Sequence, residues 1–151
     1  MAYDRILLAI GPEDRDSLDT LVDAAIGLAK PSNASVSLLY AFPRDDYEET
    51  MEQMGIDTTT SGLTPDEVAE RHESVRGPAS RLESLGIDYD IRGVSGGNLS
   101  DQVVRTIERS GADVAVVGGT KRSPAGKAMF GDHAQQVLLN AHVPVLYVKR
   151  E

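Results

Sequence analysis

Two rhythms of apolar residues alternate along this chain. Ile6 to Ile10 is an unbroken apolar run ended by Gly11-Pro12, as expected of a strand covered on both faces. Leu18, Leu21, Val22, Ala25, Ile26 and Ala29 then recur at three- and four-residue spacing. That spacing predicts an amphipathic helix, with Asp16-Ser17 as its caps and an end before Pro31. Ala34 to Phe42 reads as a second strand. The stretch 43–64 has no firm period and holds Asp45-Asp46, Glu48-Glu49 and Thr58-Thr59-Thr60, so it reads as a long surface excursion with one helical turn.

The helical spacing resumes from Pro65 through Val68, His72, Val75, Ala79 and Leu82, and Gly77-Pro78 is expected to kink or interrupt it. Ile87, Tyr89, Ile91 and Val94 alternate in the manner of an edge strand. After the turn Ser95-Gly96-Gly97-Asn98, a helix is expected over Leu99, Val103, Val104 and Ile107, then a strand from Asp113 to Val117. A last helix runs from about Asp132 through Val137 and Leu138, and Val143 to Val148 closes the chain as a strand.

Strands that alternate with helices in this way select one α/β domain over residues 1–151, built on a mostly parallel sheet with helices on both faces. Ligands of such sheets bind at the carboxyl ends of the strands, where the winding order reverses. If the first and fourth strands are neighbours there, Ile10-Gly11 and Gly118-Gly119 face one crevice.

Charge narrows the picture further. The net charge is -9, yet residues 114–131 contain no carboxylate and carry Lys121, Arg122 and Lys127. A buried strand, Gly118-Gly119, a basic Gly/Ser/Pro loop and a helix start at Gly131-Asp132 together make a phosphate-site architecture. Residues 1–113 hold ten Lys/Arg against twenty-two Asp/Glu, so no basic face is available to neutralise nucleic-acid phosphates. Only four of the fifteen basic residues are Lys, which fits either a high-salt cytoplasm or an acidic surface that meets a basic partner. Loss of stability on removal of salt would separate these readings. The chain has no cysteine, so it offers neither disulfide nor thiolate metal chemistry. No apolar run approaches the roughly 18 residues of a membrane span and the opening residues resemble no signal, so a cytoplasmic protein with no membrane partner is expected.

The segments Arg5 to Ile10, Leu28-Ala29, Ala34 to Leu39, Gly96, Ala112 to Gly118 and His142 to Val148 resemble the universal stress protein family over nearly the whole chain. The resemblance implies a Rossmann-like (adenine nucleotide alpha hydrolase-like) five-stranded parallel sheet of order 3-2-1-4-5. It also implies homodimers that pair through the C-terminal strand. Many members bind ATP through a glycine, two residues, a glycine, nine residues, a glycine and then a hydroxyl residue. Here Gly118 and Gly131 match, whereas Lys121 takes the second glycine position and Asp132 the hydroxyl position. An Asp that commonly contacts the nucleoside at the end of the first strand is replaced by Gly11.

These departures pull in different directions. Lys121 loses glycine's conformational freedom but adds a cation for a phosphate. Asp132 can cap the helix start with its own anion, an effect of about 0.5–2 kcal/mol, and it would repel a triphosphate. By the resemblance, ATP or AMP would contact Ile10, Gly11 and Ala41 at its base and ribose end. Gly118, Thr120, Lys121, Lys127, Gly131 and Asp132 would serve the phosphate end, with Mg only if ATP is bound. A member without nucleotide that acts by protein association, and a slow ATP hydrolase, remain alternatives.

Other chemistry finds little footing. Ala128 stands where a P-loop needs its magnesium-binding hydroxyl, and Gly11-Pro12-Glu13-Asp14 is no dinucleotide fingerprint. His72, His133 and His142 are too far apart to give metal-ligand spacing. Ser17, Ser95 and Ser123 have no nucleophile-elbow sequence and no neighbouring His. Asp45-Asp46 and Glu48-Glu49 read as a solvated loop. Met51, Met54 and Phe42 either cover a ligand or partner surface or form a satellite core under the loop. No catalytic residue and no metal ligand set is identified, and the balance leans against an enzyme.

Overall fold

The computed structural model describes residues 3–55, 64–96, 98–120 and 132–150. Five parallel strands form one sheet of order β3-β2-β1-β4-β5. They are β1 (Arg5–Ile10), β2 (Ser35–Phe42), β3 (Tyr89–Ser95), β4 (Val114–Thr120) and β5 (Val145–Arg150). Between them run α1 (Leu18–Ser32), α2 (Arg44–Gln53), α3 (Pro65–Arg71), α4 (Glu73–Ser84), α5 (Leu99–Ser110) and α6 (Asp132–Asn140). A six-residue 3-10 helix, Pro12–Ser17, joins β1 to α1.

The unbroken apolar runs have a simple cause. Ile6, Leu8 and Ile10 of β1 pack with Val36, Leu38, Tyr40 and Phe42 of β2 on the face covered by α1, α3 and α4. Leu7, Leu39, Ala41, Ala115 and Val117 point the other way, against Leu99, Val103 and Ile107 of α5 and Ala134 and Val137 of α6. Strand residues alternate between faces, so two buried faces require apolar residues at every position. The Asp113 carboxylate fixes the entry of β1 beside β4, accepting from the Asp4 N–H at 2.9 Å and the Arg5 N–H at 3.2 Å.

Several boundaries differ from those the spacing predicts. The excursion after β2 opens with the ten-residue helix α2 rather than one turn. Met51 is 3 % exposed and joins the core, with Tyr47 and Met54 packed beside it; a 47/51/54 spacing is one helical face. Pro31 lies inside α1, which ends at Asn33 in the left-handed region. Residues 12–17 are helical before α1, and Ser17 makes no side-chain cap bond. Gly118 and Gly119 belong to β4, paired with Val148 and Lys149 of β5, rather than to a loop. Finally, the break after Pro65 falls at His72, whose backbone is extended, while Gly77 and Pro78 lie within α4.

Gly93 shows why β3 can be covered closely at its outer side. A Cβ there would run into the Pro65 carbonyl and approach Ala69, so only glycine lets α3 lie against the strand. The Gly93 N–H donates to the Asp66 carboxylate at 2.8 Å. An edge amide is thereby occupied from within the chain.

Candidate functional site

Parallel pairing of β1 with both β2 and β4 puts the winding reversal beside β1. At the carboxyl ends of these strands lies a crevice of about 470 Å³, open mouth included. Ala9, Ile10 and Gly11 form one side of it, with Ala41 and Pro43 after β2, Val117 and Gly118 from β4, and Leu99, Val103, Ala134 and Val137 from the helices beneath. Thus Ile10, Gly11, Ala41 and Gly118 come together here. Thr120 closes β4 and Asp132 opens α6, while Lys121, Lys127 and Gly131 lie outside the described residues.

The 3-10 helix supplies two residues that periodicity does not single out. Asp14 and Glu13 both line the crevice, and Asp14 is 5 % exposed. The Asp14 carboxylate accepts the Gly11 N–H at 2.8 Å, and the Asp14 N–H donates to the Gly11 carbonyl at 3.0 Å. This reciprocal pair closes the turn after β1 and holds an anion at the crevice wall. The available signal was an acid three residues after a helix-start position, the spacing of a reciprocal cap. Gly11 itself is extended at φ -130, and a Cβ there would meet the Glu13 carboxylate at 3.3 Å. Its backbone does not demand glycine.

The described wall therefore has an apolar body and two carboxylates, with no basic side chain among the described lining residues. The Glu13 carboxylate on this wall can accept hydrogen bonds from hydroxyl or amine donors. Among the described residues no group of three or more His, Asp or Glu is placed to hold a metal ion.

A second cleft of about 1060 Å³, open solvent included, lies over the end of Tyr40 and shares Pro12 with the first. Arg15, Glu49, Gln53, Met54, Arg71, His72 and Glu73 are around it. His72 stacks on Tyr40 with ring centroids 4.2 Å apart, and its Nδ1 accepts the Ser74 N–H at 3.0 Å. Burial holds the His72 pKa below its ordinary value of 6.5; Glu73 raises it and Arg15 lowers it further. Arg15 also faces Glu73 at 3.6 Å. His72 is thus a packed, helix-capping residue, and Phe42 and Met51 belong to the core rather than to a ligand cover.

A parallel, doubly covered sheet with a crevice at its winding reversal defines the class: a Rossmann-like α/β domain with a ligand-type cleft. The profile of the universal stress protein family matches residues 2–149. The chain belongs to the universal stress protein family. It is 30% identical over 79 residues to a universal stress protein of Mycolicibacterium smegmatis, a match that takes in 52% of this chain and 61% of that protein; the chain thus spans about three fifths of that relative's length. Among solved structures it is similar to a universal stress protein in complex with cAMP, with TM-score 0.68 and 22% identity over 100% of both chains. A universal stress protein family protein from Arabidopsis thaliana with AMP bound aligns at TM-score 0.59 and 14% identity, covering 98% of this chain and 92% of that one. At these identities the two structures establish the fold, which agrees with the observed strand order. No helix among the described residues is long and apolar enough to cross a membrane.

Proposed function

We propose that this chain is a single-domain, non-enzymatic stress-response protein of the cytoplasm that binds an adenine nucleotide in the crevice between β1 and β4. The observation that carries the reading is the convergence of Ile10, Gly11, Ala41 and Gly118 on one crevice at the winding reversal. The names of two structural relatives add support, one in complex with cAMP and one with AMP bound. In this reading the base and ribose lie along Ile10, Gly11 and Ala41, beside the Asp14 carboxylate. The phosphate runs past Gly118 toward Thr120, Lys121, Lys127, Gly131 and Asp132.

Charge ranks the nucleotides. Glu13 lines the same crevice, and a carboxylate beside the binding path opposes the added charge of a triphosphate, so a monophosphate is favoured. Thermal unfolding with AMP, ADP and Mg-ATP tests this directly. AMP at a hundred times its dissociation constant should add about 2.7 kcal/mol of stability. The absence of a shift with any of the three at millimolar concentration would leave the alternative, a member that works through protein association alone.

The same reading makes the protein a homodimer through β5. Among the described residues this strand is paired by β4 alone, and Leu146 on it is 39% exposed and Leu139 of α6 70%. An apolar residue on an open strand edge fits a self-complementary, two-fold contact.

A further inference from the structure

His72 occupies a junction that three separate contacts converge on. Its own N–H donates to the Ala69 carbonyl at 3.0 Å and ends α3. Its carbonyl accepts the N–H groups of Val75 and Arg76 and starts α4. Its ring nitrogen Nδ1 accepts the Ser74 N–H, so the ring serves as the amino-terminal cap of α4. An acceptor at Nδ1 means a neutral ring with its proton on Nε2.

The helix on the other side of this junction is the one that covers β3. At seven residues α3 is far below the roughly 12–15 residues at which an isolated helix becomes stable. It is held by its ends and by what it buries: Val68 and Ala69, both 0% exposed, and the contact of Pro65 and Asp66 with Gly93. We propose that His72 is an acid-operated clasp: neutral, it locks α3 to α4 over the outer edge of β3, and protonated, it releases α3 and bares that edge.

The physical steps are local. A proton on Nδ1 sets a donor against the Ser74 donor, which abolishes the cap. It also adds positive charge at the amino end of α4, where the helix dipole is already positive. Tyr40 and Phe42 from β2 meet the ring directly, and the charged groups of the cleft it lines are Arg15 from the 3-10 helix, Arg71 from α3, Glu49 from α2 and Glu73 from α4. Glu73 favours the cation, whereas Arg15 and burial oppose it more strongly. Because the folded-state pKa is depressed, the unfolded chain binds the proton more readily. The stabilisation is therefore complete above the ordinary value of 6.5 and is lost as pH falls through the lower folded-state value.

Hydrogen exchange of the full-length protein tests the clasp, with rates corrected for the intrinsic effect of pH and referred to amides of central β1. Between about pH 7.5 and pH 5, Gly93 and its β3 neighbours should lose protection progressively, beyond any loss at the β1 amides. In His72→Asn, which keeps a capping acceptor but cannot titrate there, protection should not change over the same range. Unchanged protection in the wild type, or an equal loss in the variant, overturns the proposal. A direct titration of the wild-type ring by nitrogen NMR stands independently of the variant: an Nε2–H neutral form with a pKa below 6.5 is expected, and a neutral form protonated at Nδ1 refutes the clasp.

Discussion

Gly93 stands within β3 and Gly11 just after β1, and their reasons for being glycine differ. At Gly93 a Cβ meets the backbone of Pro65, which cannot move without lifting α3. At Gly11 it meets the tip of the Glu13 side chain, which can turn aside. Gly93→Ala should accordingly lower unfolding stability by about 1–3 kcal/mol, the usual cost of overpacking. Gly11→Ala should change it by less than about 1 kcal/mol. Urea denaturation of the two variants beside the parent checks this contrast, and equal losses would show that the Pro65 contact is not the constraint. Asp14 illustrates what a linear reading passes over. Its carboxylate reaches the crevice only because the turn after Gly11 is a 3-10 helix that brings residue 14 back to the Gly11 N–H.

At the scale of elements, legibility followed the density of apolar contacts. Ile6 to Ile10 and Val114 to Val117 are readable because two covered faces leave no position for a polar residue. The helix α2 is not, because its buried face rests on Tyr47, Met51 and Met54 alone within a run of acids. Propensity points to a break at Gly77-Pro78 rather than near residue 72. Pro78 sits in α4 with its side chain buried, and a histidine cap makes the real interruption. A second cap makes α3 testable: the Thr64 hydroxyl oxygen accepts the Glu67 N–H at 3.3 Å and its O–H donates to the Glu67 carboxylate at 3.2 Å. Thr64→Ala should cost about 0.5–2 kcal/mol, read by thermal unfolding, and should speed exchange in α3 ahead of α5. Loss confined to α5 would contradict the assignment.

For the whole molecule, the two outer strands are managed differently. The β3 edge is covered by α3, with an Asp66 carboxylate on one of its amides, whereas the described β5 is paired by β4 alone. In the proposed dimer, edge-to-edge joining through β5 consumes the available strand on both partners and stops at two copies. Light scattering at neutral pH should return twice the 16.2 kDa chain mass. A monomer throughout the micromolar range would remove β5 pairing from the proposed function. The parallel, doubly covered sheet could be anticipated from the alternation of elements, and the strand order, with the crevice it creates beside β1, from the family resemblance. The relation between the crevice and the His72 junction could not, because Arg15 and Glu73, which link them, meet only through tertiary packing.

The 3-10 helix Pro12–Ser17 is the partition between the two clefts: Asp14 faces the crevice, and Arg15 reaches across to Glu73 beside His72. Where a shared wall couples the occupants of two sites, thermodynamic reciprocity fixes the sign. If protonation of His72 weakens a ligand in the crevice, that ligand must depress the proton affinity of His72 by the same factor. Proton release on ligand addition, measured as the dependence of binding heat on the buffer's ionisation enthalpy, would then report communication between the clefts without any structural change being seen.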